Sequence, residues 1–151
     1  MDNLEFKKIC WTELKKRGFT KKGNNFYYAT NEMVCNVYLQ KSNFGKYYYI
    51  NVYYTLGNYQ NTKEYPKYDD FYSRLEVLKY DKGIPYMGAS FEYEKMTKEE
   101  IEYYLVKGLD EHVMPPLIKG KQHIIDHFDE YRKTNPEKKA KLMAKLKGID
   151  L

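Results

Sequence analysis

Apolar and polar residues alternate along two long runs, Met33 to Ser42 and Tyr47 to Leu56, separated by Asn43-Phe44-Gly45-Lys46. Period-two alternation marks a strand with one buried face, and a four-residue break suits a hairpin loop. With Ser42 opposite Tyr47, antiparallel pairing sets Leu39 against Ile50, Val37 against Val52, Cys35 against Tyr54 and Met33 against Leu56. The opposite face then pairs Gln40 with Tyr49, Tyr38 with Asn51, Asn36 with Tyr53 and Val34 with Thr55. A slip by one residue would mix the two sets, so their separation predicts the register. One face is core, and the other carries amides, hydroxyls and rings.

Around this hairpin the pattern predicts helices at both ends. Asp2 or Asn3 can cap a first helix whose apolar positions, Leu4, Phe6, Ile9, Cys10, Trp11 and Leu14, cover more than one face, with Lys15-Lys16-Arg17 favouring its C-terminal end and Gly18 as a stop. Phe26-Tyr27-Tyr28 begins a strand that returns into the hairpin through Thr30-Asn31-Glu32. Tyr59 to Asp70 is polar, contains Pro66 and reads as a loop. Phe71 to Tyr80 reads as a strand until Leu78 breaks the alternation, Asp81-Lys82-Gly83 as a turn, and Ser90 to Glu94 as a further short strand. Thr97-Lys98-Glu99-Glu100 is a capping-box pattern ahead of Ile101, Tyr104, Leu105, Gly108, Leu109, His112 and Val113 at helical spacing, a run that Pro115-Pro116 is expected to end. Another helix is expected from Lys121 to Arg132, and a last one from Glu137 to Lys147 after the break at Asn135-Pro136.

Several of these segments share a family pattern. Gly18-Phe19-Thr20-Lys21-Lys22-Gly23, Phe26-Tyr27, Val37-Tyr38-Leu39-Gln40-Lys41-Ser42 and Tyr48-Tyr49-Ile50-Asn51-Val52 together resemble a family of small bacterial proteins described as domain of unknown function 4304. The resemblance covers about the first 55 residues. Further on, Ser73-Arg74-Leu75 is similar to the family's Arg-Leu element, while the tryptophans expected beside it are absent. The resemblance implies a fold class and a bacterial source, and no chemistry. It also marks Gln40, Ser42 and Asn51 as motif positions on the polar face.

Composition narrows the function classes. At 151 residues the chain fits one domain able to bury a core without disulfides, and its polar character comes from Lys, Asn and 18 Tyr rather than from a lack of large side chains. The net charge of +5 is mild and unevenly spread: residues 1–25 hold seven basic against three acidic groups, and 136–151 five against two, whereas 92–112 hold three against seven. This polarity falls short of the dense basic stripe of a nucleic-acid module. Cys10 and Cys35 sit at core positions and do not suggest a disulfide framework. With no charged-then-apolar leader and no run of about 20 apolar residues, the expected location is a reducing cytoplasm, without a membrane span.

Candidate chemistry is sparse. His123 and His127 are four apart on a predicted helix, but the zinc-protease pattern needs Glu at position 124, where Ile stands; they read as amphipathic surface histidines, and no metal is expected. No phosphate loop, nucleophile elbow or Cys-His pairing is present in the sequence pattern, so no catalytic residue and no cofactor are assigned. Arg74 on a predicted strand can hold a carboxylate or phosphate with two parallel bonds.

The expected fold is α+β: an N-terminal helix, an antiparallel sheet of about four to six strands and C-terminal helices, as one domain over 1–135 followed by a basic helix or tail over 136–151. The tail can pack on the domain, meet a partner or rest on an anionic surface. The expected function is a non-catalytic binding domain, of the accessory or immunity type in bacterial defence, holding a protein or peptide partner. Tyr38, Gln40, Ser42, Tyr49, Asn51, Tyr53 and Arg74 are the binding candidates. The alternative is nucleic-acid binding, by Tyr stacking on the same face and by the lysines from Lys15 to Lys22. A small-molecule enzyme is the remotest reading.

Overall fold

A computed structural model describes residues 1–62, 64–130 and 136–148, with side chains in the last helix from 140 onward. The expected helix end at Arg132, the break at Asn135 and the last three residues lie outside the described residues. The first helix, α1 (Asn3–Lys16), starts where Asp2 accepts the Glu5 amide at 2.8 Å. Phe6, Cys10 and Leu14, four apart, form its buried stripe, each apolar side chain of this kind contributing about 1.5–3 kcal/mol. Gly18, at φ +93, turns the chain away.

Strands β1 (Thr20–Lys22), β2 (Asn25–Ala29), β3 (Met33–Lys41), β4 (Tyr48–Leu56) and β5 (Phe71–Arg74) follow each other in an all-antiparallel sheet of that order. The β3–β4 register is the one the alternation predicts, from Met33 opposite Leu56 to Gln40 opposite Tyr49, and the Ser42 amide donates to the Tyr47 carbonyl at 3.0 Å. The outer edge of β4 is shared end to end: β5 pairs with 51–54, and a two-residue strand β8 (Ser90–Phe91) pairs with 48–49. The sheet thus has six strands.

Between β5 and β8 the chain makes an excursion. The expected strand from Phe71 to Tyr80 is two: after Arg74, Leu75 dives into the core, and β6 (Val77–Asp81) pairs with β7 (Ile84–Gly88) in a separate hairpin. Lys82 and Gly83 both take positive φ at its tip, the geometry of a two-residue hairpin loop. Val77 anchors the hairpin in the core and Lys79 pairs with Glu92 at 2.9 Å, while Tyr80, Ile84, Tyr86 and Met87 stay exposed.

The described helices bury an apolar stripe on one side of the sheet, against Met33, Cys35, Val37, Leu39, Tyr48, Ile50, Val52 and Tyr54. Helix α2 (Lys98–Gly108) opens with the full capping box: Thr97 Oγ1 accepts the Glu100 amide at 3.1 Å, and the Thr97 amide donates to Glu100 Oε1 at 3.2 Å. Pro115 and Pro116 do not end the helical run. They stand in the first turn of α3 (Met114–Lys119), where no amide hydrogen is needed. Because prolines cannot serve the carbonyls one turn earlier, the chain widens into a π-helical turn over Leu109–Val113, and the buried Tyr54 hydroxyl donates to the Val113 carbonyl at 2.8 Å. The widened turn shifts the helical phase, which leaves His112 exposed although simple spacing put it on the buried face.

Helix α4 (Lys121–Asp126) is shorter than expected and is followed by a 3-10 turn at Phe128–Glu130. Helix α5 (Pro136–Lys147) packs on the domain: Leu146 is fully buried, and Lys145 reaches Asp70 at 3.1 Å. No described helix is long and apolar enough to cross a membrane.

Candidate functional site

The registers align residues of the second sheet face into rows across the strands. One row runs Lys22, Asn25, Tyr38, Asn51, Arg74, and the next runs Thr20, Tyr27, Asn36, Tyr53, Tyr72. A shorter row is Gln40, Tyr49, Ser90. Arg74 therefore enters the face through β5, directly opposite Asn51. Its Nε donates to Asn51 Oδ1 at 2.8 Å, and Asn51 Nδ2 donates to Gln40 Oε1 at 2.7 Å. The guanidinium lies over the Tyr49 ring, 4.3 Å from its centre. Gln40, Tyr49, Asn51 and Arg74 form one connected cluster.

Asn51 was expected at the surface, and it is only 3% exposed. Gln40 and Arg74 take up its amide, and Tyr49 and Arg74 roof it over, so it supports the site from beneath. Tyr38, Gln40, Tyr49 and Tyr53 remain partly exposed. Ser42 stands apart from the cluster: its hydroxyl accepts the Phe44 amide at 3.0 Å and so shapes the hairpin loop. The Tyr47 and Tyr49 rings meet edge to face at 5.4 Å. Bonding to Tyr47 raises the Tyr49 phenol, and burial followed by the charge of Asp69 raises that of Tyr53. Both phenols thus keep their protons and can donate at neutral pH.

One end of the face is covered. The segment from Tyr65 to Tyr68 folds over it: Tyr65 stacks on Tyr27 at 4.0 Å between ring centres, and Thr55 Oγ1 donates to the Tyr68 carbonyl at 2.7 Å. This explains why Val34 and Thr55, on the nominally polar face, are buried. Beneath the cover lies a cleft of about 470 Å³ whose lining includes Lys22, Tyr27, Asn36, Tyr53, Tyr65 and Lys67. Asn36 Oδ1 is buried there without a hydrogen-bond partner, while its Nδ2 donates to Asn25 Oδ1 at 3.1 Å. Tyr72 and Asn25 were overlooked in the sequence, although Tyr72 lies two residues from Arg74 and so shares its face. The cover by Tyr65 had no local signal.

Cys10 and Cys35 are fully buried free thiols, and burial pushes both far above the ordinary thiol range. A second cavity, about 340 Å³, opens beside the π-helical turn and reaches Arg74 itself, with Glu76, Lys107, Glu111, His112 and His123 also in its wall. His123 stacks on His127 at 4.1 Å, and burial, then the neighbouring imidazole, lowers its proton affinity. His127 Nδ1 is committed to the His123 carbonyl at 2.9 Å. No group of three or more metal-ligating side chains exists among the described residues.

Helices on one side of an antiparallel sheet, with rings and amides on the other, define an α+β domain whose candidate surface is a sheet face. The chain belongs to the family described as Domain of unknown function (DUF4304), whose pattern matches residues 11–117 and so takes in the eight described strands, α2 and most of α3. No curated protein and no solved structure is a match to it.

Proposed function

We propose that this is a non-catalytic binding domain of the bacterial cytoplasm that holds a protein or peptide partner on the β3–β4–β5 face. One observation carries the reading: every described helix is packed against the opposite face, while Tyr38, Gln40 and Tyr49 stay partly open beside Arg74. Tyrosines offer large, stiff contact area with a hydrogen-bonding tip, and amides add orientation, which suits protein recognition. Two buried, unpaired cysteines suit a reducing compartment.

Selection of a random peptide display library on the immobilised full chain tests this. The reading expects an enriched sequence pattern on the wild type that disappears on a folded Tyr38→Ser/Tyr49→Ser variant. No enriched pattern, or one that survives both substitutions, overturns it.

A second reading, nucleic-acid binding, is favoured by Lys22 and Lys67 beside the Tyr27–Tyr65 stack. Single-stranded oligonucleotides would then bind with an affinity that falls steeply as salt rises, unlike a peptide held mainly by uncharged contacts.

A further inference from the structure

Arg74 differs from the other arginine in the described residues. Arg17 is paired with two carboxylates, Glu13 at 2.9 Å and Asp110 at 2.8 Å. Arg74 has no carboxylate within 4.0 Å among the described residues, and its one hydrogen bond uses Nε alone. A guanidinium carries five N–H groups, so the four on the terminal nitrogens have no protein acceptor there. They are nonetheless aimed, because Tyr49 fixes the plane of the group and the 97%-buried Asn51, itself tied to Gln40, fixes its rotation.

We infer that Arg74 is a preset receptor for a single carboxylate, and that the partner of this face presents an Asp or Glu side chain or a free C-terminus to it. The inference rests on the sheet face being a binding surface, and it names the group that surface receives. A guanidinium fork matches a carboxylate with two parallel charge-assisted bonds, and stacking on a ring leaves that edge free. Its side chain is already ordered in the free protein, so binding does not incur that loss of freedom again.

The charge around Arg74 favours a carboxylate over a phosphodiester chain. Lys22 shares the row of Arg74 but sits four strands away, roughly 19 Å at sheet spacing. A phosphodiester chain is held by a run of cations at successive phosphates, which this row does not place beside Arg74, whereas one carboxylate needs one cation.

The test is an NMR titration of the isotope-labelled full chain with sodium acetate, with sodium phosphate, and with sodium chloride at matched ionic strength. The expected result is a saturable acetate shift of the Arg74 Nε–H and of the Asn51 and Gln40 side-chain amides, with Arg17 unmoved. In Arg74→Gln, and in Arg74→Lys where the charge stays but the fork is lost, the saturable amide shifts should vanish while the remaining spectrum is kept. Shifts no larger than those in chloride overturn the inference, as does saturation by phosphate alone or acetate saturation that persists in both variants. Selected peptides that bind the face without any acid would sink this inference and leave the broader reading standing. Acetate saturation with no selectable peptide would overturn the broader reading and with it the peptide partner named here, leaving Arg74 a carboxylate site alone.

Discussion

Asn51 on β4 and Arg74 on β5 face each other across the ladder, and the amide oxygen holds the guanidinium Nε at 2.8 Å. Asn51→Leu would remove the acceptor for Arg74 and the donor for Gln40 together. The expected cost is about 1–3 kcal/mol in urea unfolding, the penalty for partly buried polar groups left unpaired. Arg74→Met added to Asn51→Leu should cost less than the two single changes summed, because they break the same bond. Full additivity would mean that the pair is not coupled.

Tyr54 links the sheet to the π-helical turn. Its hydroxyl donates at 2.8 Å to the Val113 carbonyl, just ahead of the two prolines. Tyr54→Phe keeps the ring in the core and removes one buried hydrogen bond to that carbonyl, so we expect a loss of about 0.5–1.5 kcal/mol in denaturant unfolding. Hydrogen exchange should quicken over Leu109–Val113 before the hairpin amides respond. Unchanged stability would show that the carbonyl has another donor.

Arg17 gives the fold a pH signature. Its bond to Asp110, opposed in part by burial, holds that carboxyl below its ordinary value; Glu13 is pushed up by partial burial but pulled lower overall by Arg17 and Lys16. Groups with depressed folded values stabilise above their unfolded pKa, near 4, and that contribution is lost as pH falls through the lower folded values. The stability advantage of the wild type over Arg17→Met should therefore be present at neutral pH and shrink under acid. Asp110 is more than half exposed, so screening keeps the effect modest. An advantage that persists unchanged in strong acid would contradict the assignment.

What the chain disclosed in advance depended on how tightly burial constrains each element. The β3–β4 register was legible because both strands have one fully buried face, so a slip would be costly, and α2 because its cap and stripe are local. Leu78 broke the pattern for a physical reason: the chain leaves the sheet after Arg74, and beyond the buried Val77 the β6–β7 hairpin is largely exposed, with no burial to impose alternation. Pro115-Pro116 misled because a proline reads the same before a stop and in a first helical turn. Tyr38, Gln40, Tyr49 and Tyr53 were placed on one face by period alone. The buried state of Asn51 was not legible, since it depends on a strand 23 residues away supplying Arg74. The cover over Val34 and Thr55 likewise comes from a loop without periodicity.

The most direct measurement is to map where a selected peptide sits, by following the backbone amides of the full chain as the peptide is titrated in. The account predicts saturable shifts centred on Tyr38, Gln40, Tyr49, Tyr53 and Arg74, with the helical side of the sheet quiet. Shifts confined to the β6–β7 hairpin, or to His112 and His123 on the helical wall of the second cavity, would place recognition elsewhere and contradict it.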